Sequence, residues 1–211
     1  MTGQPILMVT KDGTLGDMGL PSWVPADETK PAPVPLLLVQ AFVNTWEGDS
    51  GADMLAGRST ATSWFSDAQL LQPGAYPTAR EVVFARAVRE SIRALLVQNG
   101  GGPAPGSADL EGLAALAHKC RFGAVLGRDG TVELEPAPVG GRLKLGEFLV
   151  IMRDSQRDGT WPRLKACHNS DCRWAFYDRS HAGRGAWCDM TVCGNRIKNR
   201  NLRSRRSAVA Q

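Results

Sequence analysis

Apolar positions recur at helical spacing along most of the chain. Between Thr78 and Gln98, Phe84, Val88, Ile92 and Leu95 repeat at i, i+4, i+8 and i+11, the stripe of a helix that turns one face to a core. Arg80, Arg86, Arg89, Glu90 and Arg93 fall elsewhere on the wheel and are expected to form a solvated face. Trp64, Phe65, Ala68 and Leu71 mark a second amphipathic helix over 60–71, stopped by Pro73-Gly74. Leu113, Leu116 and Ala117 point inward from a third over 110–118, and Leu145, Phe148, Leu149 and Met152 from a fourth over 143–156. The run Leu36–Trp46, LLLVQAFVNTW, is the most apolar stretch of the first half. So short a run has no period that separates helix from strand; it is read as a buried helix. Asn44 and Thr45 close it, either capping the element and satisfying nearby backbone groups or lining a small-molecule pocket.

The breaks in the pattern place the connections. Gly127-Arg128-Asp129-Gly130 sits between two short apolar runs, 121–126 and 131–135, and its Asp-Gly predicts a β-hairpin. Asn99–Ser107, NGGGPAPGS, is a loop by composition. Five prolines between Pro21 and Pro35 exclude a regular helix there, because each lacks a backbone donor and restrains its predecessor, so residues 1–35 are expected to form an extended arm. With 211 residues, 43% hydrophobic and 22% charged, the chain can build a sizeable core with a small appendage. No apolar run reaches the length of a bilayer span, and ILMVT near the start lacks the length and basic flank of a signal peptide. A cytoplasmic protein is expected.

Four of the five cysteines cluster near the end, as two C-x4-C pairs: Cys167 with Cys172 and Cys188 with Cys193. Zn²⁺ takes four thiolates in a closed tetrahedron, and two short cysteine loops supply them. One structural zinc is the reading, since clustered thiols in a chain without a secretory signal favour metal over disulfide. Two disulfides, or an iron site of the rubredoxin kind, use the same residues; the iron site usually wants shorter C-x2-C loops. His168 and His181 are alternative donors, left over once four thiolates complete the shell. Between the pairs, RWAFYD reads as a strand and SHAGRG as a turn, giving the order knuckle, hairpin, knuckle, helix. Cys120, two residues from His118, has no third group to orient it and reads as a buried, inert thiol.

Asp189 is placed to cap a final helix whose Met190, Cys193 and Ile197 share one face. From Trp161 onward there are eleven Lys and Arg against three acids; the first 160 residues carry fourteen against eighteen. Arg196, Lys198, Arg200, Arg203, Arg205 and Arg206 follow Asp189 with no acid among them. A solvated helix usually mixes its charges, and a local excess of one sign is the footprint of a module that meets a polyanion.

The segment WPRLKACHNSDCRWAFYDRS, with WCDMTVCGNRIKNR after it, resembles the CGNR zinc finger of bacterial transcription regulators, the run being Cys193-Gly194-Asn195-Arg196 here. Phe42-Val43-Asn44-Thr45 is similar to the signature of the ABATE domain that accompanies such fingers. The resemblance implies zinc on the four cysteines and a DNA-binding C-terminal finger. It leaves Gly194 for close approach of helix and hairpin, Asn195 for the knuckle backbone and Arg196 for a phosphate.

The expected architecture is mainly α with a small β-hairpin, a helical N-terminal domain joined to a treble-clef-like zinc finger. The arm spans 1–35, the ABATE-like domain 36–158 and the finger 161–208, with Trp161 packed at a short joint. The expected function is a zinc-containing regulator that binds DNA phosphates through the six cations and has a small-molecule effector at Asn44 and Thr45. A homo-oligomer is compatible with this. The rival is a ligand-binding or protein-interaction protein that zinc merely staples. An RNA-binding variant would stack bases on Trp174, Phe176 and Tyr177. An enzyme has the least support, for no phosphate loop or paired nucleophile and base is visible.

Overall fold

The computed structural model describes residues 20–138 and 142–197. Helix α1, Leu36–Val43, lies at the centre and every one of its residues is buried, which is why its sequence is apolar all round. Around it stand α2 (Arg58–Asp67), α3 (Ala79–Asn99), α4 (Glu111–Lys119) and α5 (Gly146–Arg157). Phe42 stacks on Phe148 at 4.2 Å between ring centroids and also meets Trp64 and Phe65. The fold is mainly helical, as expected, with two small antiparallel hairpins.

Helix α3 starts where its sequence says it must. The Thr78 side chain accepts from the Glu81 N–H while the Glu81 carboxylate accepts from the Thr78 N–H, a complete capping box. Helix α2 ends earlier than expected. Gln69 turns to φ +56°, and Leu70 and Leu71 run on as an extended segment whose Leu71 bridges Leu143. Their burial is satisfied without helix, because the Leu70 carbonyl accepts from Lys144.

The predicted hairpin is formed by β1 (Phe122–Leu126) and β2 (Val132–Pro136), Leu126 opposite Val132. The second hairpin corrects the expected order. Strand β4 (Ala175–Tyr177) lies between the cysteine pairs as RWAFYD predicts, but its partner is β3, Leu164–Ala166, upstream of the first knuckle. The first cysteine pair therefore sits at the tip of the hairpin. SHAGRG makes no return strand; it wraps the buried Lys165, whose ammonium bonds the Gly183 carbonyl and the Asp178 carboxylate. Burial works against the Asp178 carboxylate, yet the hydrogen bonds from Lys165, Ser180 and Gly185 hold its pKa well below the usual carboxylate range.

The finger hairpin is set into the body. Strand β3 packs on α3, and Asn99, the last residue of α3, donates to the carbonyls of Trp161 and Leu164. Trp161 is buried at the joint. Residues 1–19 of the expected arm lie outside the described residues; its remainder, 20–35, is laid on the body, where Trp23 and Val24 are buried and the Trp23 carbonyl accepts from the Trp64 indole.

Two arginines of α3 depart from the expected solvated face: Arg89 is 3% exposed and Arg93 2%. Each has partners that repay its desolvation. Arg89 holds Asp53 in a bidentate pair at 2.6 and 3.1 Å and reaches the Thr45 hydroxyl. Arg93 donates to the Val43 carbonyl at the end of α1, to the Arg173 carbonyl in the first knuckle and to Glu90, and lies 4.7 Å over the Trp46 ring. Replacing Arg93 with Met keeps much of the volume but takes this donor from the buried Val43 carbonyl and from the part-buried Arg173 carbonyl. The expected loss is about 3 kcal/mol of unfolding free energy, read as a lower urea midpoint at unchanged m-value.

Candidate metal centre

Cys167 follows β3 directly, and its N–H donates to the Trp174 carbonyl, extending the ladder by one pair. The chain then turns through Asn169, whose carbonyl accepts from both Cys172 and Arg173. Arg173 takes φ +51° to bring the strand back. On the other side, the His168 N–H donates to the Ala186 carbonyl and so lays the second cysteine segment beside the first. Asp189 caps as expected, accepting from the Val192 N–H and the Thr191 hydroxyl. The turn it caps, Met190–Gly194, is a π-turn that carries Cys193 inward.

These local structures bring the four Sγ atoms within 4.8 Å of one another, with Cys172 to Cys188 at 3.6 Å and Cys188 to Cys193 at 3.7 Å. A disulfide would bring two sulfurs to about 2.05 Å, so neither pair is bonded. Four thiolates at about 2.3 Å from a common zinc lie roughly 3.8 Å apart at the corners of a tetrahedron, close to the 3.6 and 3.7 Å of these two pairs. The cysteines are thus able to hold one zinc ion. Asn169, 2% exposed, aims its amide at the Cys193 sulfur at 3.8 Å, the outer hydrogen bond that orients a ligand.

Cys172 and Cys188 donate to the Cys167 sulfur, hold its pKa down to about 2 and are themselves pushed up, Cys172 to about 12. All four can be thiolates together only when a cation shares their charge. Neither histidine joins the group. The His168 ring lies 2.6 Å from the Gly100 carbonyl, at the end of α3, and His181 is exposed.

Asn44 and Thr45 are fully engaged by the protein itself. The Asn44 amide accepts from the Ala175 N–H at 2.7 Å and donates to the Ala175 carbonyl at 2.9 Å and to Glu28. Thr45 donates to the Phe42 carbonyl and accepts from Arg89. Gln40, also buried, bonds Ala32, Lys30 and Ala175. Of the two roles expected for Asn44 and Thr45, the structure shows the satisfying of backbone groups: Thr45 bonds the Phe42 carbonyl of α1, while Asn44 and Gln40 fasten the arm and finger to α1. A cleft of about 280 Å³ does lie nearby, lined by Asp27, Glu28, Glu47, Asp49, Asp189 and Trp174 among others; Asn44 and Thr45 are not part of its wall.

Sequence reading missed Gly48. A Cβ at this position would stand 2.2 Å from the Asp171 carbonyl oxygen and 2.6 Å from that of Cys172, so the body's 47–53 loop rests directly on the first knuckle. A glycine in an acidic surface loop gives little sign of this. Gly194 is a weaker constraint: a Cβ there meets mainly the flexible Met190 side chain. Asn195 and Arg196 are exposed, and Arg196 pairs with Asp49 at 2.6 Å. Lys198, Arg200, Arg203, Arg205 and Arg206 lie outside the described residues. Of the aromatics, Phe176 and Tyr177 are buried, and Trp174 donates its indole N–H to Glu28.

One zinc per chain is expected in the purified protein, released by chelator. Gly48→Ala should weaken zinc binding by about tenfold or more, the usual cost of disturbing an outer shell. Competition against a chromogenic chelator reads it; unchanged affinity would mean that the loop does not support the knuckle.

Two family models match. A CGNR zinc finger covers residues 163–206, and a model described as "Putative stress-induced transcription regulator", ABATE, covers residues 37–153. No curated protein matches the chain. Among the described residues no helix is long and apolar enough to cross a membrane. With more than half of its length under the ABATE model and its clustered cysteines under the other, the chain belongs to the ABATE family and carries a CGNR zinc finger.

Proposed function

We propose that this protein regulates transcription by binding DNA through its C-terminal finger, residues 161–208, with residues 36–158 as the body that positions it. The observation that carries this reading is the charge of the segment leaving the metal centre: six Lys and Arg between Arg196 and Arg206, and no acid after Asp189. Cys167, Cys172, Cys188 and Cys193 ligate one structural zinc and fix the origin of that segment. Arg196, Lys198, Arg200, Arg203, Arg205 and Arg206 then neutralise phosphates, and the protein acts without a catalytic step. Family membership supports the regulatory role. A structural zinc leaves no coordination position open for chemistry.

Ligand sensing finds its support elsewhere than in Asn44 and Thr45, whose polar atoms are committed to the fold. The cleft beside the metal centre, bounded by arm, body loop and finger, is where an effector could alter the finger's surroundings.

If six cations each displace a counterion, log K falls against log[salt] with a slope of roughly −5. Titration of mixed duplex DNA with zinc-loaded protein over a salt series measures it. Arg200→Ala with Arg203→Ala should flatten the slope by about 2 and weaken binding at every sequence, with zinc retained. Tight zinc with no DNA binding at low salt would favour the staple reading instead.

A further inference from the structure

The arginine that leads the basic segment already has an anionic partner. Arg196 Nη1 lies 2.6 Å from Asp49 Oδ2, a contact between residues 147 positions apart that joins finger to body. Asp49 belongs to the wall of the cleft beside the metal centre, where Asp27, Glu47 and Asp189 also contribute carboxylates. The loop that presents Asp49 is firmly placed. Trp46 and Asp53 bridge its two ends, Glu47 and Ala52 close it with a backbone bond, Arg89 grips Asp53, and Gly48 rests on the knuckle carbonyls. Asp49 is thus fixed relative to the zinc ligands, and so is the start of the segment, since Arg196 follows Cys193 by one short turn.

Phosphate and Asp49 compete for the same guanidinium. A phosphate that approaches Arg196 also meets the field of the neighbouring carboxylates, which repels it. The described chain ends at Ile197, one residue beyond the contact, and the next nine residues supply five more cations. The cleft and this segment are therefore opposite in charge, and the Arg196–Asp49 contact brings the start of the segment to the cleft.

We propose that the acidic cleft is a counter-site for the finger's own basic segment: Asp49, with Glu47, Asp27 and Asp189 around it, holds Arg196 and the cations after it in competition with nucleic-acid phosphate. This rests on the DNA-binding reading and adds its regulation. The body tempers the finger, and whatever neutralises the cleft releases it. The contact is exposed on both sides, with side-chain exposures of 58% for Arg196 and 34% for Asp49, so its influence is a few-fold change that salt screens away.

The test uses the full-length zinc-loaded chain and its variants Asp49→Asn and Glu47→Gln/Asp49→Asn. Glu133→Gln, on the exposed β1–β2 hairpin, controls for the loss of one charge. The expected result at low salt is duplex DNA bound about two- to fivefold more tightly by Asp49→Asn, more tightly still by the double variant, and unchanged by the control, with the differences vanishing at high salt. A second readout needs no DNA: limited tryptic cleavage within residues 196–206 should be faster in both cleft variants than in the wild type. Equal affinity together with equal cleavage rates would overturn the counter-site. If no variant binds DNA, the DNA-binding reading fails, while the cleavage rates still decide whether the cleft holds the segment.

Discussion

The structure depends on how the backbone N–H and C=O of one residue, Ala175, are satisfied. A two-stranded sheet leaves both outer edges with unpaired backbone groups, and buried groups of that kind are costly unless they find partners. In the finger hairpin the outer edge of β4 is buried against α1, and the Asn44 side chain closes it by pairing with both the N–H and the C=O of Ala175, as a neighbouring strand would. Gln40 adds a second donor to the Ala175 carbonyl, and the Lys30 carbonyl takes the Tyr177 N–H. Three separate stretches, arm, central helix and finger, thus share one hydrogen-bonded seam. The finger's hairpin forms part of the core.

The buried arginines follow from the same geometry. Helix α1 ends inside the protein, where its last carbonyls need donors. Arg93 supplies one to Val43 and, with another nitrogen, reaches the Arg173 carbonyl at the point where the knuckle backbone turns left-handed. Arg89 does the equivalent service for the loop after α1 through Asp53 and Thr45. A long helix thereby fixes the end of α1, the acidic loop and the first knuckle together. The metal centre inherits its placement from helices far from it in sequence.

Much of this was legible in the residues. Periodicity located the helices around α1 because each of them buries one face. The two C-x4-C pairs announced a metal centre because few other uses bring four thiols together. What escaped depended on depth and on distant pairing. Arg89 and Arg93 look like any surface arginines until Asp53, Val43 and Arg173 are brought to them. The partner of β4 was sought downstream, yet Leu164–Ala166 upstream offered the buried residues. Asn44 and Thr45 allow either backbone capping or a pocket, because polar groups ending an apolar run are ambiguous; the strand edge that Asn44 closes lies 131 residues away in sequence. Gly48 gave no signal, since close approach is a property of two surfaces and only one is local.

Zinc in this setting stabilises more than a finger. The ion fixes the knuckle, the knuckle fixes the hairpin, and the hairpin completes the seam on α1, so occupancy of the metal centre and order in the body are coupled. Hydrogen exchange of the zinc-loaded and zinc-stripped protein, resolved by segment, tests that coupling directly. The account predicts that stripping zinc lowers protection in α1 (Leu36–Val43) and in the second half of α3 as well as in the finger. A change confined to residues 163–197, with α1 and α3 as protected as before, would contradict it and make the finger an independent module.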